Sequence, residues 1–534
     1  MILRRYISFV SLCFCFGLIA CRSRPKDVSG GELRWAIGSA PRALDMYRDV
    51  SLNSNVVINL IYDRLVTLEN LKLVPSLALS WKASTPTTYV YQLRTDAAFS
   101  DGQPVTAEDV AYSFNRNVAP GSTSHALSHL MTLKHASVTG PHEVTLELNQ
   151  PDSTWIYDPL FVPVVERRVV EAAGPRYAAP NEPVIGSGPY IVQTYDGESG
   201  IVLVRNPHYW GRRPPVQQID FSYIADPGSL ALALRSGDID GTFGIALSQA
   251  PEYKHLAGVA LIRGPGLSTA SLTLDMSEPP FDDPHVRRAF AYAWDGVGFE
   301  KNVLGGYASA ANSNAPPGLW SNVATPEQIK NIYVSIPTID FNLQQAAAEL
   351  KQSHHPNGFT VPIAFPDVHP ELGQALQVLA ENLQTLGITL KISEIPYQQW
   401  VSLIGAHNHL TLQIAQWYGD YPDPSDYLVA QYAPSHAIKG QNNLSNYRSP
   451  AIDAIIRDEL ASQDTSHRVA VMTKAFQLAA SDVPNINLYW PEALLALRAP
   501  HTYRNYNGMS AFEQWIYNLD TPPASEHNPP SPQK

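Results

Sequence analysis

Cysteine is almost absent from this chain. Its three cysteines, Cys13, Cys15 and Cys21, all fall within the first 21 of 534 residues. The body beyond them can form no internal disulfide, and it has no cysteine for a zinc ribbon, an iron–sulfur cluster or a thiol nucleophile. Basic charge is also short: 37 Lys and Arg face 49 Asp and Glu, a net −12, so no nucleic-acid partner is suggested. The apolar run from Ile7 to Ala20, fourteen residues, is too short to cross a bilayer comfortably. No solenoid-type repeat is present. A GxSxG elbow, an HExxH pair, a Walker A loop and a CxxC pair are all missing, which argues against an enzyme and leaves no catalytic residue to name. No cofactor and no metal site are expected. The histidines of "SHHPNG" (353–358) and "AHNH" (406–409) lack further ligands at zinc spacing and read as surface loops. Asp420, Asp423 and Asp426 are interleaved with prolines and lack the acidic twelfth position of an EF-hand.

What is present begins with Arg4 and Arg5 ahead of that apolar run, the pattern of a signal peptide over residues 1–20. Leu18-Ile19-Ala20-Cys21 then resembles the bacterial lipoprotein cleavage box, which implies lipidation of Cys21. One acyl chain holds a protein only marginally, so the two or three chains implied would anchor it stably. Removal of Arg4 and Arg5 leaves 35 basic against 49 acidic residues, a net −14, so attachment to a membrane would come from lipid and not from charge. A body of roughly 500 residues normally divides into two or more domains. Its 10 Trp and 26 Tyr suit a large core, and a surplus also suits a broad, partly apolar cleft.

After a polar tether, "ELRWAIG" reads as the first strand. "TYVYQLR" (88–94) alternates Tyr89, Tyr91 and Leu93 on one face, a strand with a buried side. "VTAEDVAYSF" opens a helix with Thr106 as N-cap and Asp109 three residues later, a capping-box arrangement. Strands follow at 143–150 and 200–206. Residues 371–387 read as a long amphipathic helix closed by Gly387, and "ITLKISEI" as a strand. Helix followed by strand in this way indicates layered α/β structure. The tail "TPPASEHNPPSPQK" is too rich in proline and polar residues to pack.

The stretch "QWYGDYPDPSDY" (416–427) poses a chemical question, because it sets Asp420 among Trp417, Tyr418 and Tyr421. A carboxylate withdrawn from water is costly unless paired. Either Asp420 is an exposed turn residue or something positive comes to meet it.

Residues 77–116, "LALSWKASTPTTYVYQLRTDAAFSDGQPVTAEDVAYSFNR", resemble the signature of the extracellular solute-binding proteins of peptide ABC importers, the oligopeptide and dipeptide binding family. The resemblance continues through "VIGSGPYIV" (184–192), "LVRNPHYWGRRPPVQQIDF" (203–221), "LRSGDIDG" (234–241) and "PPFDDPHVRRAFAYAWD" (279–295). One departure is Gly296 after Asp295, where the family usually has arginine; it reads as a local surface change. The resemblance implies an α/β fold of the periplasmic-binding-protein type II class: two lobes joined by paired crossing strands, a cleft between them, and an extra subdomain inserted in the first lobe. Expected boundaries are 1–20 signal peptide, 21–31 lipidated tether, 32–62 lobe I, 63–182 inserted subdomain, 183–275 lobe I, 276–489 lobe II, 490–520 lobe I and 521–534 disordered tail.

It also implies ligand-binding residues. "QWYGDYPDP" matches the family's cleft block, whose aspartate pairs with the free α-amino group of a peptide, so Asp420 is expected to bind ammonium, with Trp417, Tyr418 and Gly419 beside it. The main chains of 49–53, including Leu52, and of 415–419 are expected to pair with an extended peptide. Phe243 and Trp400 match aromatic cleft positions and could equally be core. Glu371 occupies a position that can be histidine in the family, and could equally be a solvated carboxylate at a helix start. Ile414 stands where some oligopeptide binders carry an arginine for the ligand carboxylate, a pair that cannot form here. The implied partners are an oligopeptide ligand, the permease and ATPase subunits of an importer, and a membrane reached through the lipid anchor. The protein is expected to be monomeric and periplasmic. Relatives that bind cell-wall peptides, nickel complexes, haem or sugars leave other ligands open, although Asp420 argues against sugars. A surface adhesin or a chaperone on the same fold remains a further alternative.

Overall fold

The computed structural model describes residues 31–521. The expected signal peptide, Cys21 and all but the first residue of the tail lie outside the described residues.

Three larger sheets organise the chain. The first has seven strands in the spatial order Val259–Gly264, Ala493–Arg498, Gly241–Phe243, Glu32–Ile37, Gln218–Tyr223, Gly200–Arg205, Tyr190–Asp196. "ELRWAI" forms a central strand of it, parallel to both neighbours. Leu33, Trp35, Ala36 and Ile37 are all buried, as a strand covered on both faces requires. The second sheet has four strands in the order Ala308–Ala310, Asn485–Pro491, Ser268–Leu274, Leu412–Tyr418. Leu412–Tyr418 is its hydrogen-bonded edge, and strand Thr360–Pro366 lies alongside it without joining the ladder. The third is antiparallel, in the order Ala78–Thr85, Thr88–Leu93, Glu143–Leu148, Leu133–Gly140. Tyr89, Tyr91 and Leu93 turn into its core as the alternation predicts. The helix Ala107–Val118 packs on this sheet and starts with a complete capping box between Thr106 and Asp109.

The chain passes between the first two sheets twice, through residues 265–267 and 491–492, with antiparallel strands on both sides of the crossing. Glycine is needed there for close approach: a Cβ on Gly264 would lie 2.0 Å from the Tyr506 carbonyl oxygen, and one on Gly266 only 1.7 Å from that of Pro491. The first change-over therefore falls before the boundary at 275/276 drawn from the sequence. Ser268–Leu274 is hydrogen-bonded between Leu412–Tyr418 and Asn485–Pro491, which places it in the second sheet.

The sheet of the inserted region touches the far lobe directly. Tyr157 stacks on Tyr421 at 5.0 Å, the Ser153 N–H donates to the Leu460 carbonyl at 2.8 Å, and Gln463 Nε2 donates to the Tyr89 hydroxyl at 3.3 Å. The lobes are therefore closed on one another. Asp295 caps the helix Gly296–Asn302 by accepting the Gly298 N–H at 2.8 Å, which accommodates the glycine that follows it.

Candidate functional site

Strand Leu412–Tyr418 ends at Gly419, and the chain then turns through Asp420 into the helix Ser425–Tyr432. A Cβ on Gly419 would meet Asp426, Tyr427 and Leu319 at 3.2–3.4 Å, so this turn is packed from three sides. Asp426 Oδ2 accepts the Asp420 N–H at 2.6 Å, and the Tyr427 hydroxyl donates to the carbonyls of Leu267 and Trp417 at 3.0 and 2.9 Å. The Trp417 ring meets Tyr427 edge-on at 4.3 Å. These contacts fix the backbone on which the Asp420 carboxylate is presented.

The carboxylate itself faces the inserted region. His129 Nδ1 lies 3.8 Å from Asp420 Oδ2, and the His129 ring is stacked on Phe161 at 3.7 Å. His129 comes from the turn His125–Leu130 and Phe161 from Asp158–Phe161, two segments in mutual contact. The Asp420 side chain is 44 % open to the space between the lobes. The surrounding protein is nevertheless dense enough that desolvation raises its pKa, with His129 acting weakly against it. Desolvation pushes the His129 imidazole down, opposed by Asp420. Asp426, and Asp158 from the inserted region, are buried and lifted well above the usual carboxylate range, first by desolvation; Asp420 and Asp423 then raise Asp426, and Asp152, Asp426 and Asp420 raise Asp158. Carboxylates from both sides of the lobe contact thus converge on one place with a single weak base between them.

Tyr418 projects into the same space, half exposed, and its electrostatic neighbours are Glu371 and Tyr397 on one side and Tyr506 on the other. Tyr506 stacks face to face on Phe243 at 6.0 Å. Phe243 also packs against Trp35 and Trp515, so it belongs to the aromatic floor of the first lobe. Leu52, 44 % exposed, begins the helix Leu52–Ile61 and lies over Gly244.

In the segment 49–53, Ser51 is extended and the helix begins only at Leu52. Asp49 accepts the N–H groups of Arg42 and Ser51, and Ser51 caps the helix by accepting the Ser54 N–H. The main chain of 49–51 precedes the helix, whereas Leu52 and Asn53 belong to its first turn. Trp400 is buried, with its ring stacked on Tyr397. Glu371 is 2 % exposed, which corrects the solvated alternative: the first turn of helix Pro370–Gln384 packs inward, and Leu372 and Ala375 are buried with it. Ile414 lies in the apolar core of the second sheet.

His129, Phe161 and Asp158 were not singled out by sequence reasoning, and Asp426 was weighed there only against a calcium loop. A surface hollow of about 660 Å³ lies elsewhere, lined by Trp210, Glu513 and Tyr517 among others. Its acid Glu513, pushed up to about 7 by burial, already accepts the Leu71 N–H and serves packing.

The sequence model of the middle region of bacterial extracellular solute-binding proteins, family 5, matches residues 72–439. The chain is 27 % identical over 499 residues to the probable di/tripeptide-binding protein 5 of Pseudomonas aeruginosa (strain UCBPP-PA14), covering 86 % of this chain and 90 % of that one. It is also 27 % identical over 522 residues to the probable D,D-dipeptide-binding periplasmic protein DdpA of Escherichia coli (strain K12), covering 94 % and 95 %. Among solved structures, the ABC transporter-associated periplasmic binding protein DppA from Helicobacter pylori in complex with peptide STSA superposes with a TM-score of 0.79 at 21 % identity, over 92 % of this chain and 98 % of that one.

Proposed function

The chain belongs to family 5 of the bacterial extracellular solute-binding proteins, and from that premise we propose that it captures extended peptides with a free α-amino group and hands them to the permease of an ABC importer. Its fold is the α/β type II periplasmic-binding-protein fold. The observation that carries the proposal is the Asp420 carboxylate, held at the mouth of an edge strand and lacking any strong cation. A peptide ammonium supplies that cation. At the end of strand Leu412–Tyr418, the main chain of 415–419 would offer donors and acceptors that any extended peptide can use regardless of sequence. Trp417, Tyr418, Gly419, Leu52, Phe243 and Trp400 bound the same space. In this reading lobe I takes residues 32–62, 183–267 and 493–520, with 63–182 inserted, and lobe II takes most of what lies between. ATP is spent by partner subunits.

The same carboxylates make closure depend on ligand. In the closed protein Asp158 from the inserted region stands near Asp420 and Asp426 of the other lobe, and like charges brought out of water repel. An ammonium among them converts that repulsion into attraction, so ligand binds the closed state preferentially. Small-angle scattering should therefore show a smaller radius of gyration for peptide-loaded than for empty protein. An unchanged radius at proven saturation counts against the proposal.

Cys21 is proposed as the lipid attachment point on the periplasmic side of a bacterial membrane. Cys21→Ala should move the protein from the membrane fraction to the soluble one. Retention after high-salt washing would remove the anchor from this account.

A further inference from the structure

Glu371 is buried in the first turn of helix Pro370–Gln384 with one carboxylate oxygen unused. Its Oε1 is 3.0 Å from His369 Nδ1, while Oε2 has no hydrogen-bond partner although the residue is only 2 % exposed. A buried acceptor without a donor is costly in any folded protein. Two more unpartnered polar atoms lie in the same quarter of the molecule: the hydroxyl of Tyr489, fully buried, and Nε1 of Trp400, 7 % exposed. Glu371 is the foremost charge acting on Tyr489 and on Tyr418, and Tyr397, which stacks on Trp400, acts on Tyr418 as well. Glu371 is therefore joined electrostatically to the strand end that carries Asp420, and neither tyrosine has a lysine or arginine among its strongest charged neighbours.

We propose that Glu371, with the Tyr489 hydroxyl and Trp400 Nε1, forms a second subsite that accepts a cationic side chain of the bound peptide, an ammonium or a guanidinium. The ligand class becomes peptides carrying a lysine or arginine in addition to their free amino end. The chemistry of the three atoms fits such a residue. Glu371 Oε2 requires a donor and is best served by a charged one. Trp400 Nε1 is a donor only, and a peptide carbonyl satisfies it. A ligand carboxylate in this place would meet Glu371 as a like charge, and the position that could have offered an arginine holds the buried Ile414. The proposal rests on the peptide reading of the cleft and adds a side-chain selectivity to it.

Titration calorimetry with Ala-Lys-Ala-Ala and Ala-Ala-Lys-Ala, each against its norleucine counterpart, isolates the ammonium because norleucine keeps the alkyl chain. At least one lysine peptide should bind at least about tenfold more tightly than its norleucine partner. Glu371→Gln should remove most of that ratio, whereas Asp420→Asn should weaken all four peptides and leave the ratio. Ratios within about twofold in both registers overturn the proposal, as does a ratio that survives Glu371→Gln. N-acetylated versions of the same pairs separate the two readings: equal affinity of free and acetylated peptides would remove the Asp420 role, while the lysine preference stays measurable within the acetylated pairs. If Glu371→Gln fails to fold, the wild-type ratios alone decide. No binding of any of these peptides to wild type would overturn both readings.

Discussion

Acetylating the amino end of a bound peptide, or changing Asp420 to Ala, should weaken binding by roughly one and a half to three and a half decades. Removing one partner of a buried, hydrogen-bonded charge pair costs about 2–5 kcal/mol, much of it from stranding the other charge, and each decade of affinity is about 1.4 kcal/mol. The strand-end turn explains why Asp420 cannot adjust. Its own N–H is tied to Asp426, and Gly419 behind it has no room to shift. His129, whose imidazole is pushed toward neutrality, replaces the lost ammonium poorly. Amidation of the carboxyl end should cost under about one decade, since Ile414 offers that end nothing. The pH dependence has a definite sign. Burial raises the pKa of Asp420 in the empty protein, so binding through the ionised carboxylate is fully present above that raised value and is lost as pH falls through it. Calorimetry on one peptide in free, acetylated and amidated forms measures all three effects. Equal affinity of the free and acetylated forms would sink the role given to Asp420, and a large loss on amidation would expose a carboxylate site elsewhere.

Features governed by local chemistry were legible before the fold was known. The Thr106–Asp109 box, the alternation of Tyr89, Tyr91 and Leu93 and the long helix ahead of Gly387 depend on a few neighbouring residues, and all three are present. The block "VIGSGPY" was recognised only as a pattern, and the structure supplies its reason: a Cβ on Gly186 would fall 2.2 Å from the Ile61 carbonyl oxygen. The site was half legible. Asp420 stood out because its company was odd and its block resembled a cleft motif. His129 and Asp158 gave no signal, because each becomes relevant only when a turn nearly 300 residues away folds against Asp420. Glu371 carried a sequence pattern compatible with either solvent or cleft, and only the packing of its helix against the second lobe decides in favour of burial. The helix start after Ser51 was readable from its serine cap, which the structure shows accepting the Ser54 N–H.

Arg468→Met should be the most destabilising single change near the site, by about 3–5 kcal/mol, because it removes the one cation from a buried ionic cluster. Arg468 Nε donates to Glu459 Oε1 at 2.6 Å and Nη2 to both oxygens of Asp423 at 3.0–3.1 Å. Both carboxylates are fully buried and the arginine nearly so. Their other oxygens are also committed: the Ser425 hydroxyl donates to Glu459 Oε2 and the Ser425 N–H to Asp423 Oδ1. Methionine fills the space but strands two charges. Desolvation already raises the pKa of Asp423 and Glu459 with Arg468 holding them down, so without the arginine both rise further. The variant's deficit relative to wild type should consequently shrink as pH is lowered and the two acids protonate, because their pKa values are raised in wild type and raised further without the arginine. The function follows the fold here, because Asp423 lies three residues beyond Asp420 and Ser153 of the inserted region reaches Glu459 across the lobe contact. Destabilising this cluster therefore loosens both the Asp420 turn and the closed state, and peptide affinity should fall along with stability. Urea unfolding followed at two pH values measures the effect. A loss under about 1 kcal/mol at neutral pH, or a deficit that does not shrink on acidification, would show that water already reaches the cluster and that the buried ion pair does not hold this wall of the cleft.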